Sequence, residues 1–155
     1  MINFALDALE RRASRLLIVE GNAPMVVISP GWIMDVERGP DWLIVSVRSE
    51  HDNEWDTPPL AESIWHLVEQ NFTYRLVLDL SNVSMLHTSL VGQLVYLQKR
   101  LSIHDGCLRI CGLSDRNHDI LRTCRLDGLM PHYRDRNEAV LGQATNPLAL
   151  PNKPR

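Results

Sequence analysis

Apolar positions along this chain follow two rhythms, and the change from one to the other marks out its elements. Residues 76 to 80 read Leu-Val-Leu-Asp-Leu, a short run apolar except at Asp79 that suits a strand buried on both faces. From residue 90 the rhythm becomes helical, with apolar residues at 90, 91, 94, 95, 97 and 101. Between them lies a polar turn, Ser81 to Ser89, whose last two residues, Thr88 and Ser89, fall where the helix opens. Hydroxyls at that point have two readings. One is capping, in which the side chain accepts a bond from an orphan backbone N–H. The other is a phosphorylation switch, since a phosphate there would meet N–H donors and the positive end of the helix dipole.

The same rhythms order the rest of the chain. Residues 2, 6, 9, 13 and 16 carry an apolar stripe between charged neighbours, the pattern of a marginal amphipathic helix. Gly21, Asn22 and Pro24 read as a linker, so residues 1–24 are expected to be an N-terminal extension. Met25 to Ile28 is a short extended piece. A hairpin follows, Trp32–Glu37 and Trp42–Arg48 around the Arg38-Gly-Pro-Asp41 turn. Thr57 before Pro58 and Pro59 predicts a capped helix whose stripe is Leu60, Ile64, Leu67 and Val68. After the central helix come a strand at 107–111, a helix capped by Ser114 or Asp115, a short edge strand at 132–134 and a last helix at 136–141. Residues 144–155, with three prolines, read as a disordered tail, which leaves 25–143 as the domain. Repeated strand–helix–strand units imply a parallel region, and the leading hairpin makes the sheet mixed. The Thr88–Ser89 turn then sits at the C-terminal edge of a central strand, where α/β folds place their sites.

Composition changes this picture mainly by exclusion. A net charge of −3 and a pI near 6.0 provide no basic stripe for nucleic acid. No apolar run approaches bilayer-spanning length, and the N-terminus lacks a continuous apolar leader segment, so a cytoplasmic location with reduced thiols is expected. Cys107, Cys111 and Cys124, with scattered histidines, show no metal-ligand spacing. They read as small buried hydrophobes, with no metal and no cofactor expected. Ser89, His87 and Asp79 are the residue types of a hydrolytic triad. However, no Gly-x-Ser-x-Gly elbow surrounds the serine, so no catalytic residue and no enzymatic activity is expected.

Several stretches together carry a resemblance. They are Leu76-Val-Leu-Asp-Leu-Ser-Asn-Val83, the hydroxyl turn, Gly92, the run from Gly106 to Ser114, Leu126-Asp-Gly-Leu129 and Asn137-Glu-Ala139. In order and spacing, over roughly residues 32 to 142, they resemble the STAS family, whose soluble members are anti-sigma factor antagonists. The resemblance implies an α/β domain with a mixed sheet of four to five strands and helices packed on one side. It implies a serine kinase-type anti-sigma factor, or a related signalling protein, as partner, and a homodimer is compatible with it. In the family's best-known members the turn reads Asp-Ser-Ser-Gly-Leu-Gly, and its second serine is phosphorylated by the partner. Here the turn is His87-Thr88-Ser89-Leu90-Val91-Gly92, with His87 in place of the acid and Leu90 in place of glycine. The resemblance places the phosphoacceptor on Ser89, with Thr88 as the lesser candidate, and the partner contact on His87, Thr88, Ser89, Leu90 and Val91. Two other roles are compatible with the same fold: a subunit of a multi-STAS signalling assembly, and an accessory protein of a lipid transport system.

Overall fold

The computed structural model describes residues 15–17, 25–29, 31–50 and 57–142. In chain order these form β1 (Arg15–Leu17), β2 (Met25–Ser29), β3 (Trp32–Arg38), β4 (Leu43–Ser49), α1 (Leu60–Asn71), β5 (Arg75–Asn82), α2 (Thr88–Ile103), β6 (Cys107–Cys111), α3 (Asp115–Thr123), β7 (His132–Tyr133) and α4 (Arg136–Leu141). The seven strands lie side by side in sequence order. β1 to β4 are antiparallel, and β4 to β7 are parallel. The sheet is mixed, as expected, but has seven strands where four to five were anticipated. The extended piece before the hairpin pairs as β2, and β1 pairs beyond it, so the antiparallel half grows by two strands. Residues 15–17 therefore form a strand within the stretch read as an amphipathic helix. The remainder of that stretch and the tail at 144–155 lie outside the described residues.

Alternation along the central strands builds two cores. Leu76, Leu78 and Leu80 point to one face with Val45, Val47 and Ile110. Val77 points to the other, with Trp42, Ile44 and Cys111. The first face is the larger and is covered by α1, α2 and α3, through Ile64, Val68, Leu94, Leu97 and Leu121. The three crossovers from β4 to β7 all step the same way across the sheet. Such connections are right-handed, so their helices must share a face. α4 follows the last strand and is not a crossover, and this releases it from that constraint. It packs on the opposite face through Ala139 and Val140, a correction to the expectation that the helices lie on one side.

The ends of α1 are set by contacts the sequence pattern did not announce. Its C-terminal turn closes with Phe72 in the left-handed region (φ 50°), the Phe72 and Thr73 N–H groups donating to the carbonyls of Glu69 and Val68. Phe72 is 85% exposed, so its ring contributes little burial while its Cβ strains the backbone. Phe72→Asn is therefore expected to stabilise the protein by about 1 kcal/mol, read as a higher urea midpoint. A loss of stability would mean that the exposed ring makes a contact of its own.

Candidate functional site

The site is built at the C-terminal edge of β4 and β5, where the chain enters α1 and α2. His87 is the N-cap of α2, in extended conformation (φ −76°, ψ 156°), with no side-chain capping bond. Thr88 and Ser89 are the first two helical residues. This corrects the capping reading, because Thr88 and Ser89 sit one and two positions past the cap. The Ser89 hydroxyl instead shares a 2.5 Å hydrogen bond with that of Thr57, in the segment entering α1. Thr88 and Ser89 are exposed and His87 is half-buried. No acidic residue occupies the first turn of α2, so nothing in that turn opposes an anion at its positive end.

Leu90 and Val91, placed by sequence at the partner surface, are 1% and 6% exposed and belong to the core. Their positions are those of the stripe that continues to Leu94 and Leu97, so they face the sheet. The accessible surface of the turn is instead Thr88, Ser89 and Gly92, where a Cβ on Gly92 would meet nothing within 4 Å.

Three side chains that the pattern did not single out for this role hold the turn in place. Gln93, one turn into α2, accepts a bond from Ala61 N–H (2.9 Å) and donates to the Pro58 carbonyl (2.7 Å). It thereby supplies the cap that Thr57 was expected to give α1, which begins at Leu60 with Pro59 in the cap position and no side-chain cap bond of its own. Thr57 is freed to reach Ser89. On the other side, Asn117 of α3 is fully buried and holds the loop before His87 at two points. Its Oδ1 accepts from Leu86 N–H and its Nδ2 donates to the Val83 carbonyl, each at 2.9 Å. Ser114 caps α3 by accepting from Asn117 N–H at 3.2 Å, as the sequence predicted. No signal in the sequence marked Asn117 beforehand, since an amide within a helix reads equally well as facing water.

Asp79 belongs to a different cluster. It lies on the second face of the sheet, in register with Ser46 and Cys111 on the flanking strands. Oδ1 accepts from the Ser81 N–H (3.0 Å) and hydroxyl (2.7 Å), and Oδ2 from Arg136 Nε at the start of α4 (2.8 Å). Arg136 also reaches Glu37 at 3.3 Å. Burial pushes the Asp79 carboxyl up, but the bonds from Ser81 and Arg136 and the guanidinium charge outweigh it and hold it below its ordinary value. Its oxygens thus face Ser81 and Arg136, while the Ser89 hydroxyl faces Thr57. Asp79 lies within β5, which runs on to Asn82, and it bonds Ser81 of the same strand rather than a turn beyond it.

Cys107 and Cys111 share the second face, and burial, followed by the nearby Asp79 charge, pushes the Cys111 thiol up to about 12. Cys124, expected to be buried with them, is exposed near the end of α3. Among the described residues, no group of three or more His, Cys, Asp or Glu side chains is arranged to hold a metal ion.

With this geometry in place, the comparisons with known proteins are specific. The STAS domain profile matches residues 34–139, more than half of the chain. This chain belongs to the STAS domain family. Solved structures of similar fold include an anti-sigma factor antagonist from Mycobacterium paratuberculosis, at TM-score 0.62 and 23% identity, covering 74% of this chain and 96% of that one. A protein described as a candidate anti-sigma factor antagonist from Thermotoga maritima matches at TM-score 0.58 and 15% identity, over 70% of this chain and 92% of its own. A serine-to-glutamate variant of RsbS from Moorella thermoacetica matches at TM-score 0.58 and 13% identity, over the same shares, 70% and 92%. At these identities the likeness is one of fold. No curated protein matches the chain by sequence.

Proposed function

We propose that this STAS domain is a regulatory binding protein that works by partner switching. In this reading the Thr88–Ser89 turn docks on an anti-sigma factor or a related kinase-type signalling protein, and phosphorylation of Ser89 releases it. The observation that carries the reading is an exposed serine hydroxyl in the first turn of α2, held by Thr57 on a loop pinned by buried Asn117. A phosphate on Ser89 adds roughly −2 charges beside the helix N-terminus, where dipole and N–H donors favour an anion by about 0.3–2 kcal/mol. The domain keeps its fold, and the cost falls on the partner, which must desolvate that charge or face it. Leu90 and Val91 take no part in the contact, which rests on His87, Thr88, Ser89 and the open Gly92. The reading places the protein in the cytoplasm. Among the described residues, no helix is long and apolar enough to cross a membrane.

Pull-downs with wild type and Ser89→Asp identify the partner, and titrations of wild type, Ser89→Ala and Ser89→Asp against it test the switch. Ser89→Asp is expected to melt within a few degrees of wild type and to bind at least about tenfold more weakly, a difference of about 1.4 kcal/mol. Equal affinity for all three proteins would remove Ser89 as the switch and turn attention to Thr88. Capture of membrane-transport subunits in place of a kinase-fold protein would favour a lipid-transport role.

A further inference from the structure

Directly after Asn117 in α3, two histidines meet. His118 of α3 and His132 of β7 lie with ring centroids 4.2 Å apart and planes inclined by 39°. His132 is only 6% exposed, and its Nδ1 is buried with no hydrogen-bond partner. The site therefore accepts the neutral ring and has no acceptor ready for a second N–H proton at that atom. We propose that the His118–His132 contact is a pH-sensitive latch on the loop carrying the Ser89 turn. Protonation of His132 places a buried charge against the His118 ring across the α3–β7 contact, with no acceptor for its Nδ1 proton. The first turn of α3 then lifts, and Asn117, the residue before His118, loosens its hold on Val83 and Leu86.

The surroundings favour this direction. Facing His132 are His118 from α3 and Asp127 from the turn leading to β7, while its register partner on β6 is the apolar Ile110. The other charged side chains of α3, Asp115, Arg116, Asp119 and Arg122, are exposed, and Asp119 is paired to Arg122 at 2.9 Å. Burial first, and then His118, pull the His132 imidazolium below its ordinary value, with Asp127 opposing them. A histidine whose folded value is lowered binds its proton more readily when unfolded. Its contribution to stability is thus complete above about pH 6.5 and is lost as pH falls through that point toward the lowered value. The latch is closed at neutral pH and opens on acidification. The inference stands whether or not Ser89 is phosphorylated.

NMR titration of the full chain from about pH 7.5 to about pH 5.5 tests it. His132 should titrate below the ordinary histidine value. The Leu86 backbone amide and the Asn117 side-chain amide should shift with the same midpoint. The Gln93 side-chain amide, which ties α2 to the start of α1 and touches neither histidine, should not follow. His132→Phe keeps an aromatic ring against His118 and should abolish the response at Leu86. His118→Gln should raise the His132 midpoint and shrink the response at Leu86, and it serves equally if the phenylalanine variant does not fold. A His132 midpoint at or above the ordinary value, a pH-independent Leu86 amide in the wild type, or a response unchanged in the variants would overturn the latch.

Discussion

Asn117→Ala is expected to destabilise the protein by about 2–4 kcal/mol and to weaken partner binding even where the protein is folded. The side chain is fully buried and completes one backbone donor, Leu86 N–H, and one backbone acceptor, the Val83 carbonyl. Val83 and Leu86 are themselves buried, so alanine strands both groups away from water, at roughly 1–3 kcal/mol each. The loss is local in origin. Residues 83–87 lead straight into α2, and without their anchor the Ser89 turn samples more conformations, which under the proposed partner switching disfavours docking. Urea unfolding gives the stability change, and exchange of the Leu86 amide gives the local one. Asn117→Asp separates geometry from chemistry. It retains the acceptor for Leu86, cannot donate to Val83 and buries a charge, so it should be at least as harmful. A loss below about 1 kcal/mol for alanine, within the range of surface substitutions, would mean that water or a shifted backbone replaces both bonds.

Leu94→Ala should cost about 2–5 kcal/mol. Leu94 is 1% exposed and continues the stripe begun by Leu90 and Val91, pressing α2 onto the larger core of the sheet. Truncation removes apolar contact and leaves a cavity that the strands beneath, paired on both sides, cannot collapse to fill. The effect should appear as a lower urea midpoint with an unchanged denaturant slope, since the surface exposed on unfolding hardly alters. A change under about 1 kcal/mol would require α2 to turn a different face to the sheet.

These two residues were not equally legible in the sequence. Leu94 was, because helical spacing alone assigns it to a buried stripe. So were β6, α3 and the hairpin, whose periodicity and turn residues sit within a few positions of one another. Asn117 was not, since nothing local distinguishes an asparagine that anchors a distant loop from one that faces water. The misreadings share that character. Thr57 has the look of a cap for α1, yet the cap comes from Gln93 on another helix and Thr57 turns to Ser89. Leu90 and Val91 adjoin the hydroxyl turn in sequence, but the helix rotates them away from it. Cys124 continues the helical spacing of Ile120 and Leu121, yet it emerges at the surface.

From the sequence alone came the order of elements from β2 onward, the mixed sheet, the STAS resemblance and the position of a hydroxyl turn at a helix start, because each is written in residue periods and short-range chemistry. Tertiary structure decided which face α4 covers, which side chains hold the Ser89 turn, and that Arg136 joins Asp79 and Glu37, its partners 57 and 99 residues away in the chain. Such contacts depend on how crossovers bring the ends of separate elements together at one edge of a sheet. A polar side chain carries no mark of its distant partner until the backbone has placed the two within hydrogen-bonding reach.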